Sequence, residues 1–528
     1  MDESLGIFLR KPCFDVLLYW FFRILEENTQ VKKNTTFFEE LQNYRDTYRS
    51  YEQRTVAEIF TELMVWANYL SKSGKEMVKK AFEMAEKWHK GQMRKSGGEY
   101  ITHPLTIACM TLPYRPDEVL LSSILLHDVL EDTDMTYLNL LALSPEVADI
   151  VEWATKIRAV WSQTENNSSD EAKFETIRKI LTSSQKDIKI LFLKVFDRLH
   201  NMLTLDAKSR EWRLRIAKET RDIYAPLAKR CGLREVHHYL QCLAVEILEP
   251  EIWQTMKTFV ENKYADIMET SDNICAYLAS ESWSKKILKI NTQFLSPFSI
   301  DLKKTYHENA WYSIQIVVKE LSDCYAILHD IGNKKDENLI PVGKINDLIN
   351  QPRLSSYKGL HFDVIFQGVH RIKMRILNQK TFEKISQYPT FDDLGKIYSP
   401  VLFRDFELIS EATASDSQEF MQSVTEHILA RKIPLHSESR PLFYLPILST
   451  ALDAAIYLSP DRFNYIDAIY RNNEKIPLHT VLENNDIVTF TYAQEPILRD
   501  EWTEFVHSGV SKWRIRNLIA HNDTNDWN

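Results

Sequence analysis

Apolar residues recur at the three-and-four spacing of helices through the first half of the chain. Phe37, Phe38, Leu41, Tyr44, Tyr48 and Tyr51 form one such stripe, and residues 1–65 read as a helical N-terminal extension packing on the next domain. From Met77 to Pro250 the helical pattern is interrupted only by Gly97-Gly98, Pro113–Pro116, Ser144-Pro145 and a polar stretch near Glu165–Asp170. Residues 66–250 are therefore expected to be an all-α bundle. From 251 to 400 the period changes, with Trp311–Val318 (WYSIQIVV) and Phe362–Phe366 (FDVIF) as β-like runs among helices. Residues 401–440 return to helix as a linker, and 441–528 break into short runs and turns. The fold class expected is multidomain α+β.

A chain of 528 residues has room for about three domains, each with its own core. Its net charge of −9 argues against a protein that coats DNA through bulk charge. A polyanionic substrate then needs a local basic patch, and Lys87, Lys90, Arg94 and Lys95 offer one, with Lys194 and Arg198 further on. Six cysteines without a C-x-x-C pair suit reduced thiols in a cytoplasmic protein. The apolar stretch Leu5–Glu27 is interrupted by Arg10, Lys11, Asp15 and Arg23, so it reads as a core or interface helix, and no membrane partner is expected. Only 12 glycines leave little scope for Gly-rich phosphate loops.

The chemistry concentrates in Ser122–Thr133, SSILLHDVLEDT, read as one apolar helix. His127 and Glu131 are i, i+4 neighbours, as are Asp128 and Asp132, so four polar groups crowd one end. Three carboxylates so close repel one another unless a cation shares the site. His127-Asp128 thus reads as half of a divalent metal site, and Glu131-Asp132 as the pair that handles water there. His103, in HKGQMRKSGGEYITHP, and Asp197, in KVFDRLHNMLTL, each add one ligand type. Two His and two Asp suit Mn²⁺ or another borderline-hard divalent ion better than Zn²⁺, because no cysteine sits nearby in a ligand spacing. The plainer alternatives are a loop histidine at 103 and an ion pair from Asp197 to Arg198 or Arg94. His200 and His237-His238 read as structural, the latter as helix surface.

Five stretches, in order and spacing, resemble the HD hydrolase domain of the RelA/SpoT family, which makes and destroys guanosine tetra- and pentaphosphate. They are GQ-x-RKSGG-x-Y-x-x-HP, LLHDVLEDT, the ATK of Ala154–Lys156, DRLHNM-x-T and ET-x-x-IYAPLAKRCG at Glu219–Gly232. The resemblance implies Mn²⁺ held by His103, His127, Asp128 and Asp197, with Glu131 and Asp132 orienting and deprotonating the attacking water. It places Arg94, Lys95 and Ser96 against the nucleotide, Asn201 and Thr204 on the nucleoside, and Lys156 at the rim. Phe196 stands where the family has a small residue, and Leu203 replaces its usual Arg.

Residues 251–400 resemble the family's synthetase domain in frame, through SDCYAILHDIG, GKINDLINQPRLSSYKGLHFDV and HRIKMR, and Tyr357 keeps the family's aromatic. The carboxylates are missing: Asn309-Ala310 stand for the family's Asp, and Arg371 for its Glu. Phosphoryl transfer needs such carboxylates to hold Mg²⁺, so this part reads as a degenerate synthetase. Residues 441–528 resemble a TGS domain, a β-grasp module, which implies tRNA or a carrier protein as its contact. The expectation is an Mn²⁺-dependent hydrolase of guanosine tetra- and pentaphosphate that cannot synthesise them. Two alternatives stay open: a hydrolase of another 2′- or 3′-phosphorylated nucleotide, and a retired sensor or adaptor acting through TGS.

Overall fold

The computed structural model describes residues 37–94, 97–163, 170–294, 312–333, 338–350, 357–412, 417–429 and 432–525. The stretch Leu5–Glu27, the pair Lys95-Ser96 and the pair Asn309-Ala310 lie outside them.

The N-terminal half is helical. Helices α1 (Phe37–Ser50), α2 (Val56–Trp66), α3 (Lys72–Trp88), α4 (Thr102–Thr111) and α5 (Glu118–Leu126) lead to a four-residue α6 (Val129–Asp132). Then come α7 (Tyr137–Leu141), α8 (Pro145–Gln163), α9 (Asp170–Lys186), α10 (Lys189–Leu203), α11 (Arg210–Glu219), α12 (Ala225–Arg230) and α13 (Arg234–Leu248). Side chains that satisfy orphan N–H groups set the starts. Thr55 and Glu58 form a capping box on α2, and Asp117 accepts from Leu120 N at 2.8 Å at the head of α5. Residues 120–126 of α5 are all buried, and the helix packs on α3, α4 and α8.

Ser122–Thr133 is not one helix. The chain breaks at His127-Asp128, where His127 Nδ1 meets Ile124 O at 2.8 Å and competes for a carbonyl the helix would use. The following turn keeps one helical bond, Asp132 N to Asp128 O at 2.9 Å.

A long helix α14 (Pro250–Ser280) leads into a five-stranded sheet. Its strands are β1 (Ile287–Phe294), β2 (Tyr312–Val318), β3 (Leu339–Asp347), β4 (Leu360–Phe366) and β5 (His370–Asn378). The order is β1-β2-β5-β4-β3, with only the β2–β5 pair parallel. Helix α15 (Leu321–Asn333) and the end of α14 cover one face, burying Ile274, Leu278, Ile327, Ile314 and Met374 in a second core. Arg371 projects from β5 and is held by Asp363 at 2.8 Å, while Tyr357 is buried with its hydroxyl 2.7 Å from His361 Nε2.

After α16 (Gln379–Ser386) the chain returns to the first core. Helix α17 (Phe391–Ala412) seats Phe391 against Phe192, Phe196 and Tyr114, with ring centroids at 4.6, 5.8 and 5.4 Å. The division expected between residues 400 and 401 falls inside this one helix. Gly232 has φ +80°, and a Cβ there would lie 2.4 Å from Tyr398 of α17. The C-terminal part carries a three-stranded and a two-stranded sheet around a third core, with Ala451–Leu458 as its buried helix. Among the described residues no helix is long and apolar enough to cross a membrane.

Candidate metal centre

Three elements bring the predicted ligands together. His103 comes from the first turn of α4, His127 and Asp128 from the break after α5, and Asp197 from the middle of α10. His103 Nε2 lies 3.5 Å from Asp128 Oδ2 and 3.5 Å from Asp197 Oδ1. His127 Nε2 lies 3.2 Å from Asp128 Oδ1 and 4.0 Å from Asp197 Oδ1. Ligand atoms of His103, His127 and Asp197 all fall within 4.8 Å of one another.

The residues fit a divalent ion. His127 Nδ1 is committed to the Ile124 carbonyl, so the proton sits there and Nε2 keeps its lone pair. That Nε2 is buried without a hydrogen-bond partner, a state that coordination would relieve. His103 is oriented in the same way by a residue that sequence reading set aside: its Nδ1 is 3.0 Å from Nδ1 of His200, which leaves Nε2 for the cluster. Burial, then His103 and Arg94, push the His200 imidazole well below its usual value, so it stays neutral. Burial likewise lowers His103. Burial raises the Asp197 carboxyl, but His103, His127 and Lys194 outweigh it and hold the group well below the ordinary carboxylate range. Two nitrogens and the carboxylate oxygens of two aspartates form the mixed donor set that Mn²⁺ and similar ions accept.

Glu131 and Asp132 are half-buried on the turn beside the cluster. Tyr100 Oη is 2.7 Å from Asp132 Oδ2 and 2.7 Å from Asp128 Oδ2, a contact that sequence reading misses although Tyr100 lies only three residues before His103. Burial, then the Asp128 carboxylate, raise its phenol far above the usual range. Asn201 donates to Asp197 Oδ1 at 2.8 Å, and Thr204 donates to the His200 carbonyl at 3.2 Å. Arg94 pairs with Glu52 at 2.9 Å. Lys156 is exposed on α8, paired with Glu152 at 3.0 Å and lying over Trp153.

Two expectations need correction. Lys194 and Arg198 are not part of a solvent-facing basic patch: both are buried, and Arg198 pairs with Glu219 at 3.2 Å and lies over Tyr224. His237 is not helix surface either, since it is buried with Nδ1 2.8 Å from Ala225 O.

The family model described as "HD domain" matches residues 81–234, which contain all four candidate ligands. GTP pyrophosphokinase rsh of Brucella melitensis is 27% identical over 467 residues, covering 83% of this chain and 60% of the relative. The bifunctional (p)ppGpp synthase/hydrolase SpoT of Escherichia coli is 26% identical over 475 residues, covering 86% of this chain and 66% of the relative. The chain thus spans between three-fifths and two-thirds of these relatives' lengths. A solved small alarmone synthetase of Bacillus subtilis is also similar, at 13% identity and a TM-score of 0.21 over 25% of this chain and 76% of that one. A match to the HD domain model around the cluster, inside a likeness that runs through more than four-fifths of the sequence, makes the chain similar to members of the RelA/SpoT family.

Proposed function

We propose that the protein hydrolyses guanosine 3′,5′-bis(diphosphate) and its pentaphosphate homologue, releasing pyrophosphate and GDP or GTP. The observation that carries this reading is the convergence of His103, His127, Asp128 and Asp197 beside the Glu131-Asp132 pair. A divalent ion held there, Mn²⁺ in this reading, supplies Lewis acidity and lowers the pKa of water toward neutrality. The chain's own residues do the rest. Asp132, with Glu131 beside it, takes the proton of a water that attacks phosphorus, and the bond to the ribose 3′-oxygen breaks. Arg94 meets the nucleotide through its planar guanidinium, with Lys95 and Ser96 following it. Asn201, in the last turn of α10, and Thr204, just past its end, face the nucleoside, and Lys156 lies at the rim.

The five-stranded unit is, in this reading, a degenerate synthetase domain that makes no alarmone, because Arg371 carries positive charge where Mg²⁺ would need a carboxylate. The C-terminal unit is a TGS domain contacting tRNA or a carrier protein, and the protein works in the cytoplasm. The test is pyrophosphate release from guanosine tetraphosphate with Mn²⁺, with EDTA, and in Glu131→Gln/Asp132→Asn. Release that needs the ion and disappears in the double variant is expected. No release under any metal from folded protein overturns the hydrolase reading, and alarmone formation from ATP and GDP overturns the degenerate-synthetase reading.

A further inference from the structure

Residues 92–94 lie antiparallel to residues 97–100, joined by the Met93–Glu99 bridge and by Tyr100 N to Gln92 O at 3.0 Å. These paired segments grip the turn that carries Asp132. Gln92 Nε2 donates to the Asp132 main-chain carbonyl at 2.6 Å, and Gln92 Oε1 lies 2.8 Å from His89 Nδ1. The His89 ring stacks on Tyr100, with centroids 4.8 Å apart and planes at 28°. Tyr100 closes the circuit through its hydroxyl, 2.7 Å from the Asp132 carboxylate. His89, Gln92, Tyr100 and Asp132 therefore form a closed cycle, in which each member is held by two others.

Asp132 needs such a hold. It ends a four-residue turn after the break in α5, so no continuous helix fixes its direction. Tyr100 can fix it, because the turn Tyr100–His103 is itself closed by His103 N to Tyr100 O at 2.9 Å. One rigid turn thus presents a metal ligand, His103, and a hydroxyl aimed at both Asp128 and Asp132. A phenol has one proton to donate, and an Asp128 whose charge is drawn toward a cation is the weaker acceptor, which directs the bond to Asp132.

We propose that Tyr100 is a positioning residue that sets the Asp132 carboxylate relative to the metal ligands, and that the His89–Gln92 pair braces it. The proposal rests on the reading of Asp132 as the group that takes the water's proton. Because Arg94 belongs to the same paired segments, with its N–H on Gly98 O at 2.8 Å, the cycle also ties a nucleotide-facing side chain to that carboxylate.

The test is Tyr100→Phe in the full chain, which keeps the ring stack and removes only the hydroxyl. With Mn²⁺ and guanosine tetraphosphate, kcat is expected to fall at least about tenfold while KM stays within about twofold. In the Asp132→Asn background the same change is expected to add little, because the two act as a unit. Independently of any substrate, hydrogen exchange of the Val129–Thr133 amides is expected to rise in Tyr100→Phe, with the rest of the bundle unchanged. Should Tyr100→Phe fold poorly, Gln92→Leu cuts the same cycle elsewhere and is expected to raise exchange in the same five residues. Wild-type kcat, or unchanged exchange at 129–133, overturns the proposal. If the wild-type protein releases no pyrophosphate at all, the reaction assigned above fails, and the exchange comparison alone decides the role of Tyr100.

Discussion

Asp197 makes three contacts at once, to His103 Nε2, to His127 Nε2 and, through Oδ1, to the amide of Asn201. Its removal takes one candidate ligand from the cluster and the carboxylate that both imidazole Nε2 atoms and the Asn201 amide face. Asp197→Ala is expected to weaken Mn²⁺ binding by at least about tenfold, measured by calorimetry on folded protein. An ion at about a hundred times its dissociation constant stabilises a native state by about 2.7 kcal/mol, so a gain of that size from Mn²⁺ is expected in the wild type and about 1.4 kcal/mol or less in the variant at the same concentration. Unchanged affinity would refute the ligand assignment. The four ligand candidates are legible in sequence because each is a ligand-type residue set in an apolar or basic stretch. His200 and Tyr100 are not legible as working residues, because their roles depend on distances across the fold: His200 meets a histidine 97 positions away. Lys194 and Arg198 mislead for the opposite reason, since a cation in a helical pattern says nothing about an acidic partner waiting inside, as Glu219 does for Arg198.

At the scale of elements, α17 is the clearest departure from a linear reading. Phe196 is anomalous in sequence as a large residue in place of a small one, and the structure supplies its reason in Phe391, almost two hundred positions on. The face of α10 that carries Phe196 therefore rests on α17, while its neighbour Asp197 faces the cluster. Phe196→Ala is expected to cost about 3–5 kcal/mol in urea unfolding, through lost burial plus a cavity. Gly232→Ala places a methyl into Tyr398 on a backbone with φ +80°, so it is expected to loosen α17 and raise proteolysis within 391–412. Wild-type protease resistance in that variant would show that the seat of α17 does not depend on the glycine. Helix α5 illustrates the other limit of pattern reading: spacing predicts a helix through Thr133, but one imidazole bonding back to Ile124 O ends it six residues early, at His127.

For the whole molecule, buried neutral histidines tie stability to acidity. Burial lowers His237 to about 4 and His427 to about 3, both from an ordinary 6.5. Below pH 6.5 the unfolded chain takes up protons that the folded chain refuses, so stability present at neutral pH falls as pH drops toward 4. Each such imidazole contributes up to about 1.4 kcal/mol per pH unit over that window. Urea unfolding at pH 7.5, 6 and 5 checks this, and His237→Gln is expected to flatten the slope. A slope that survives in His237→Gln unchanged would exclude that imidazole as its source. The return of α17 to the first core has a consequence for how the chain is made. Phe391, Leu394, Leu402, Phe406 and Ile409 belong to the same core as Leu41 and Val78, so the five-stranded sheet is an excursion within one folding unit. Closing that excursion costs chain entropy before its contacts repay it, and a ribosome must release residue 412 before the first core can be completed. A nascent chain arrested near residue 280 would hold Tyr114, Phe192 and Phe196 without the aromatic lid they share in the finished protein, and would be at its most aggregation-prone there.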